Sequence, residues 1–289
     1  MKYICFFTNG HNGDIVHSKS FIEDIASQLD IPCLYHHNNN PIISKDLSTT
    51  FTQIFPSDYY SRFIETEKIF FVNTWLYPYS QDDFFVGVNM ESNYKIYSYI
   101  CDAINQKFNK NLKLKNIESY LPFINFNNVN RDNIEHFVFL NQGKKVLFCN
   151  GPCMSGQSCY NENLKELIER LSQKYKHITF ISTEKFKTNL ENIFFTDDII
   201  NLNGCDLNEI GYLSTFCDLI VGRNSGPFCF STNRDNYNDE SKVFFAFGHN
   251  VGDCFHKGAS IKAKFIFNSS ENKDIIDDAI DDTIQKHLL

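Results

Sequence analysis

Two short stretches of this chain hold residue types at spacings that could do chemistry. The first is Gly222-Arg223-Asn224-Ser225-Gly226-Pro227. It follows Asp218-Leu219-Ile220-Val221, a short apolar run of the kind a buried parallel strand shows. Pro227 lacks a backbone N–H and has a preset φ, so it suits the first turn of a new helix. Backbone N–H groups at a helix start point outward and form a natural anion site. A phosphate-bearing ligand is expected here, cradled by the N–H groups of Ser225 and Gly226, with Asn224 or Arg223 assisting. The same turn also fits a plain strand-to-helix connection, and Arg223 reads equally well as a surface arginine. The second stretch is Gly10-His11-Asn12-Gly13-Asp14, which sets a carboxylate at the start of a helix. There Asp14 can cap the helix, and the helix dipole would lower its pKa and keep it ionised.

Elements must place these residues. Residues 2–7 read as an apolar strand, and a helix follows with Ile15, Ser18, Ile22, Ile25, Ala26 and Leu29 on one face. Residues 31–35 read as a second strand and 36–41 as polar loop. This opens a doubly wound sheet, whose ligands bind at the carboxyl ends of the strands, where residues 10–14 lie. Residues 69–73 predict another buried strand, and the aromatic residues 74–79 after it read as packing rather than as a pocket wall. Residues 93–108 predict a helix, 117–126 a strand, and 127–143 a bridge between domains.

A second α/β unit then begins. Residues 145–150 predict a strand and 151–160 a loop of small residues. Asn161 would cap a helix with Leu164, Leu167, Ile168, Leu171 and Tyr175 in one stripe. Strands follow at 177–182, 192–195, 242–248 and 263–267. Asp206 with Glu209 is a capping-box pattern for the helix before the 218–221 strand. In the last helix Ile275, Ile276, Ala279, Ile280, Ile284 and Leu288 are expected inward, with Asp277, Asp278, Asp281 and Asp282 on a solvated face.

Composition excludes several classes. A length of 289 residues suits two domains. Hydrophobic residues at 42% and charged residues at 21% describe a globular chain, not a disordered one. A net charge of −8 argues against nucleic-acid binding. No apolar run reaches membrane-spanning length, and the first residues do not form a signal peptide. The ten cysteines are scattered, several within apolar runs, which suits reduced thiols in the cytoplasm.

Gly13-Asp14-Ile15-Val16-His17-Ser18 resembles the G-D loop near the start of the lipopolysaccharide heptosyltransferases, glycosyltransferase family 9. Residues 201–210 and 217–227 resemble that family's N-L-x-G…L-x-E-L…A-D-L-V-V-x-x-D-[ST]-G-P segment, in the same order and separation. The resemblance implies an α/β chain of GT-B fold: two Rossmann-like domains facing across a cleft. Residues 1–140 would be the acceptor-side domain and 141–289 the nucleotide-sugar domain. It implies a glycosyltransferase of cell-envelope polysaccharide synthesis, inverting, with Asp14 as general base beside Gly13. Arg223 would neutralise the leaving diphosphate, where negative charge develops. Ser155, Gly156 and Gln157 would hydrogen-bond donor sugar or phosphate, and Lys185 reads as a solvated lysine or a nucleotide contact.

The implied partners are a nucleotide-sugar donor and a glycan or glycolipid acceptor. No metal or cofactor is implied, and the implied station is the cytoplasm, peripherally at the inner face of its membrane. Departures are visible. Asn224 stands where the family has Asp, and Cys229 where a His often follows, so a charged donor or metal contact is lost at both. A nucleotide-sugar epimerase or hydrolase on the same fold, using His11 or His17 as a further acid/base, and a non-catalytic nucleotide-sugar binder are the alternatives.

Overall fold

The apolar run that opens the chain forms the middle strand of its first sheet. In the computed structural model, which describes residues 2–75, 88–151, 163–202, 204–223, 225–248 and 255–289, Ile4 to Phe7 are fully buried. They lie in β1 (Tyr3–Thr8), followed by α1 (Asn12–Gln28) and β2 (Cys33–His37). Then come β3 (Thr50–Phe51), β4 (Phe63–Glu65), β5 (Ile69–Asn73) and α2 (Met90–Phe108). The strand order is β3-β2-β1-β5-β4, with only β4 antiparallel. The second strand begins later than the sequence suggests, so His36 and His37 end β2 rather than open a loop. The chain divides into two units, Met1–Asn125 with Gly252–Ser260, and Phe126–Val251 with Ile261–Leu289.

Helix α1 departs from the single apolar face expected of it. Ile15 through Ile22 are all buried, because polypeptide covers the other side as well. That cover includes residues 112–125, expected in part as a strand but folded as turns, with a short 3-10 piece at Ile117–Tyr120. Side chains fasten it. Ser20 Oγ donates to the Leu121 carbonyl at 2.6 Å, and the Tyr120 hydroxyl donates to Asp24 at 2.6 Å. The apolar residues of this stretch pack on a helix instead of a sheet, and their pattern alone does not distinguish the two. Lys19 and Asp46 meet inside this packing at 2.5 Å, both side chains fully buried.

The second unit starts with α3 (Asp132–Leu140), within the stretch read as a bridge, and continues through β6 (Lys145–Cys149), α4 (Lys165–Lys174), β7 (Thr179–Ser182) and β8 (Ile193–Phe195). Next are α5 (Thr196–Ile200), α6 (Leu207–Leu213), β9 (Leu219–Gly222), α7 (Gly226–Ser231) and α8 (Arg234–Tyr237). The chain closes with β10 (Val243–Phe247), β11 (Lys264–Asn268) and α9 (Lys273–Leu288). All six strands are parallel, in the order β11-β10-β9-β6-β7-β8. Val146, Phe148, Val221 and Phe245 of the sheet pack with Leu167 and Leu171 of α4 and with Ile276, Ile280 and Ile284 of α9.

Two local expectations need correction here. Asp206 precedes α6 without a side-chain capping bond, so the capping box with Glu209 is not formed. Glu209 is instead buried and accepts from the Asn130 N–H at 3.3 Å. The expected cap Asn161 lies outside the described residues. In α9, Ile275 is exposed while Asp277 is buried beside Lys273 at 2.9 Å and Arg170 at 3.8 Å. The cations make that rotation possible, since a buried carboxylate requires partners.

Buried imidazoles make the first unit acid-sensitive. Burial lowers His17 to about 3, and His37 and His256 to about 4, from an ordinary 6.5. The folded pKa values are depressed, so as pH falls through 6.5 the unfolded chain takes up protons first. Stability of this unit is therefore expected to fall from about pH 6.5 downward, with about one proton taken up per histidine on unfolding. Urea melts between neutral pH and about pH 5 test this, and His17→Phe should flatten the slope by about one proton. A melt independent of pH over that range would show that these imidazoles are not held neutral.

Candidate active site

The carboxylate of Asp14 is built into the turn after β1. Thr8 ends the strand, and its Oγ1 accepts from the Gly10 N–H at 3.2 Å. The Asn39 amide donates to the Gly10 carbonyl at 3.1 Å. His11 is the N-cap of α1, and its N–H donates to Asp14 Oδ2 at 2.7 Å, the return arm of a capping box. Asp14 folds so closely over Gly10 that a Cβ there would lie 2.5 Å from its Cγ. Gly10 is thus required for the carboxylate's position, and if Asp14 serves as a catalytic base Gly10→Ala should slow turnover on the order of 10- to 100-fold. Steady-state rates check it, and unaltered rates would place Asp14 outside the chemistry.

The environment of Asp14 reverses one expectation. Burial raises its pKa above the ordinary 3.8, outweighing the His11 N–H, the His11 ring and a hydrogen bond with the Trp75 side chain, each of which lowers it. The carboxylate is therefore a stronger base than the dipole argument implied. Trp75 lies in the aromatic stretch expected to pack, yet its indole N–H hydrogen-bonds Asp14. Arg62 is fully buried and fixes this approach, donating to the Asn73 carbonyl at 3.0 Å and the Trp75 carbonyl at 2.8 Å. No local signal in the sequence marks Arg62, because its partners lie more than ten residues away.

Gly13 sits beside Asp14 in the first turn of α1, next to Asn12, whose Oδ1 is buried without a hydrogen-bond partner among the described residues. One turn on, His17 stacks on Phe255 with ring centroids 3.4 Å apart. Burial keeps that imidazole neutral, with its pKa near 3, so it does not act as a second acid.

In the second unit β9 ends at Gly222. A Cβ there would stand 2.8 Å from Cys149 Cβ and from the Phe228 ring, so glycine lets α7 start close against β6. Ser225 is the N-cap of α7, Gly226 its first residue, and Pro227 falls in the first turn as expected. The Ser225 N–H donates to the Arg223 carbonyl at 2.6 Å, so it is already engaged within the turn. Ser225 Oγ is buried and has no hydrogen-bond partner among the described residues.

Arg223 is not a surface arginine. It is fully buried, donates to the Asn150 carbonyl at 3.2 Å, and lies over the Phe247 ring at 5.7 Å. Lys185 pairs with Asp198 at 2.5 Å, both side chains exposed, which fits the solvated reading. Ser155, Gly156, Gln157 and Asn224 lie outside the described residues. Asp206, taken from sequence as a cap, is pushed up to about 6, first by burial and then by Asp197 and Glu209. Burial pushes the Cys5 and Cys217 thiols up to about 12, which makes them inert packing groups. Among the described residues no three His, Cys, Asp or Glu side chains converge as metal ligands.

Two Rossmann-like units, each with its glycine turn at the carboxyl end of a central strand, define the GT-B fold. Solved structures carry the same resemblance. The chain is similar to E. coli heptosyltransferase WaaC with ADP, at 9% identity over 99% of each chain and a TM-score of 0.57. It is similar to WaaC with ADP-2-deoxy-2-fluoro heptose at 8% identity, over 98% of this chain and 99% of that one, with a TM-score of 0.56. E. coli ADP-heptose lps heptosyltransferase II matches at 12% identity, over 100% and 98% of the chains, with a TM-score of 0.53. At such identities the likeness is one of fold. No protein-family model matches the sequence, and a search of curated proteins finds no match. No helix among the described residues is long and apolar enough to cross a membrane.

Proposed function

We propose that this chain is a glycosyltransferase that moves a sugar from a nucleotide-sugar donor to a glycan or glycolipid acceptor of the cell envelope. The observation that carries the reading is Asp14: a carboxylate at the carboxyl end of the first sheet, locked over Gly10 and raised in pKa by burial. In this reading an acceptor hydroxyl oxygen attacks the anomeric carbon and its proton passes to Asp14. The bond from that carbon to the diphosphate oxygen breaks, and the nucleoside diphosphate leaves with inversion. Gly13 lets the acceptor approach the first turn of α1. The second unit holds the donor, with Ser225 Oγ and the Gly226 backbone at its phosphates and Arg223 supplying fixed positive charge beneath them. Asn224, Ser155, Gly156 and Gln157 complete the proposed donor set.

An epimerase or hydrolase would need a second acid/base beside Asp14; the buried, neutral His17 does not supply it, which leaves His11, whose N–H donates to Asp14, as the histidine that reading would have to use. Calorimetry and thermal shift with nucleoside diphosphates and nucleotide sugars test the proposal on wild type and Asp14→Ala. A donor at a hundred times its Kd should add about 2.7 kcal/mol of stability to both proteins. Only wild type should then release nucleoside diphosphate with an acceptor mixture. Binding without turnover in wild type would favour a non-catalytic binder, and no binding at all would overturn the donor assignment.

A further inference from the structure

Residues 52–61, between β3 and β4, place aromatic rings in solvent at the carboxyl edge of the first sheet. Phe55 is 61% exposed and Tyr60 71%. Phe55 and Tyr59 lie nearly parallel, at 15° and 6.3 Å between centroids. Their inner side is anchored: Tyr59 meets Phe7 edge-on at 6.1 Å, and the His36 ring lies 5.9 Å from Phe55. Phe7, His36 and Asn73 form one row across β1, β2 and β5. Tyr59 therefore packs on the residue before Thr8, where the chain turns toward Asp14, on the face of β1 opposite Phe6 and α1.

The loop is fixed in place. Asp58 accepts from the Tyr60 N–H at 2.7 Å and from the Ser61 hydroxyl, and Pro56 is buried. Asn73 ties it to the site: its amide donates to the Tyr59 carbonyl at 2.9 Å, and its Oδ1 accepts from the Trp75 N–H at 2.9 Å. One buried side chain thus sets both the ring shelf and the residue that touches Asp14. Rigid aromatic faces held in water at no ordering cost suit a ligand with an apolar face and a polar rim, and a pyranose ring has both. Charge narrows the class. Between residues 36 and 61 the charged residues are Lys45, Asp46 and Asp58. Asp46 is spent on buried Lys19 and Asp58 on its own loop. An acidic sugar calls for an Arg or Lys fork, and the ring-bearing residues 52–61 carry neither, Lys45 lying before β3.

We infer that Phe55, Tyr59 and Tyr60 form the acceptor subsite for an uncharged sugar ring, an inference that rests on the transferase reading above. Saturation-transfer NMR on the full chain tests it, with methyl glucoside, methyl galactoside and N-acetylglucosamine as neutral probes and glucuronic and N-acetylneuraminic acids as acidic ones. Neutral sugars should take up saturation, with signals insensitive to added salt and reduced about tenfold in Phe55→Ala/Tyr60→Ala. Both residues are exposed, so the variant should keep the wild-type melting curve. Signals unchanged in the variant, or acidic sugars preferred in a salt-sensitive manner, would overturn the subsite. Donor calorimetry on the same samples separates the two readings. Donor bound equally by both proteins with no sugar signal overturns the shelf alone, whereas absence of donor binding overturns the transferase reading.

Discussion

Asp14→Asn is expected to lower sugar transfer by about 10²- to 10⁴-fold with donor affinity unchanged, the usual range for loss of a general base. The substitution keeps the shape and a carbonyl oxygen that can still accept from the His11 N–H, so the start of α1 is preserved. What it removes is the site that takes the acceptor proton. Because burial raises the Asp14 pKa, the acid limb of kcat/KM in wild type should lie above the ordinary carboxylate range. Trp75→Phe, which deletes a hydrogen bond that holds the pKa down, should move that limb further up.

Stability should move the opposite way from rate. A carboxylate whose folded pKa exceeds its unfolded 3.8 binds its proton more tightly when folded. It therefore costs stability once pH rises above that unfolded value. The Asn variant should melt higher than wild type at neutral pH, and the difference should close below pH 3.8. A variant that is both less active and less stable at pH 7 would identify Asp14 as a helix cap and nothing more.

How much of this was legible before the structure depended on the range of each interaction. The strands at 69–73, 145–149 and 219–222 and the turn at 222–227 are written in consecutive residues: apolar runs, then Gly and Pro where the backbone must turn. The first turn of α1 is equally local, since His11 and Asp14 satisfy each other three residues apart. What sequence reasoning missed is non-local. Trp75 reaches Asp14 across 61 positions of chain only because β1 and β5 are neighbours in the sheet. Arg62 reads as an ordinary loop arginine until its guanidinium is found under the Asn73 and Trp75 carbonyls. The 112–125 stretch has the apolar content of a strand, but Ser20 and Asp24 of α1, and Asp46 beside it, offer side-chain partners instead of a ladder. In α9 the dominant stripe was right, and its rotation followed from cations elsewhere in the fold.

The Lys19–Asp46 pair gives the other large expected effect. Asp46→Ala should destabilise the first unit by about 3–5 kcal/mol, because it takes the carboxylate away from a fully buried ammonium. Lys19 loses its carboxylate partner while its ammonium still donates to the Ile43 carbonyl at 3.1 Å, and the Asn125 N–H loses the acceptor it holds at 2.9 Å. The double variant Lys19→Met/Asp46→Leu should recover most of that loss, since apolar groups of similar volume replace both charges. Denaturant melts of the three proteins decide it. A single variant as stable as wild type would mean that water reaches Lys19. A double variant no better than the single would instead assign the cost to the lost Asn125 contact. Asp46 thereby fastens residues 112–125 onto the helix that carries Asp14, so its loss should also lower turnover at temperatures where the first unit still folds. Partial recovery of rate along with stability in the double variant would tie that cover to the position of the base.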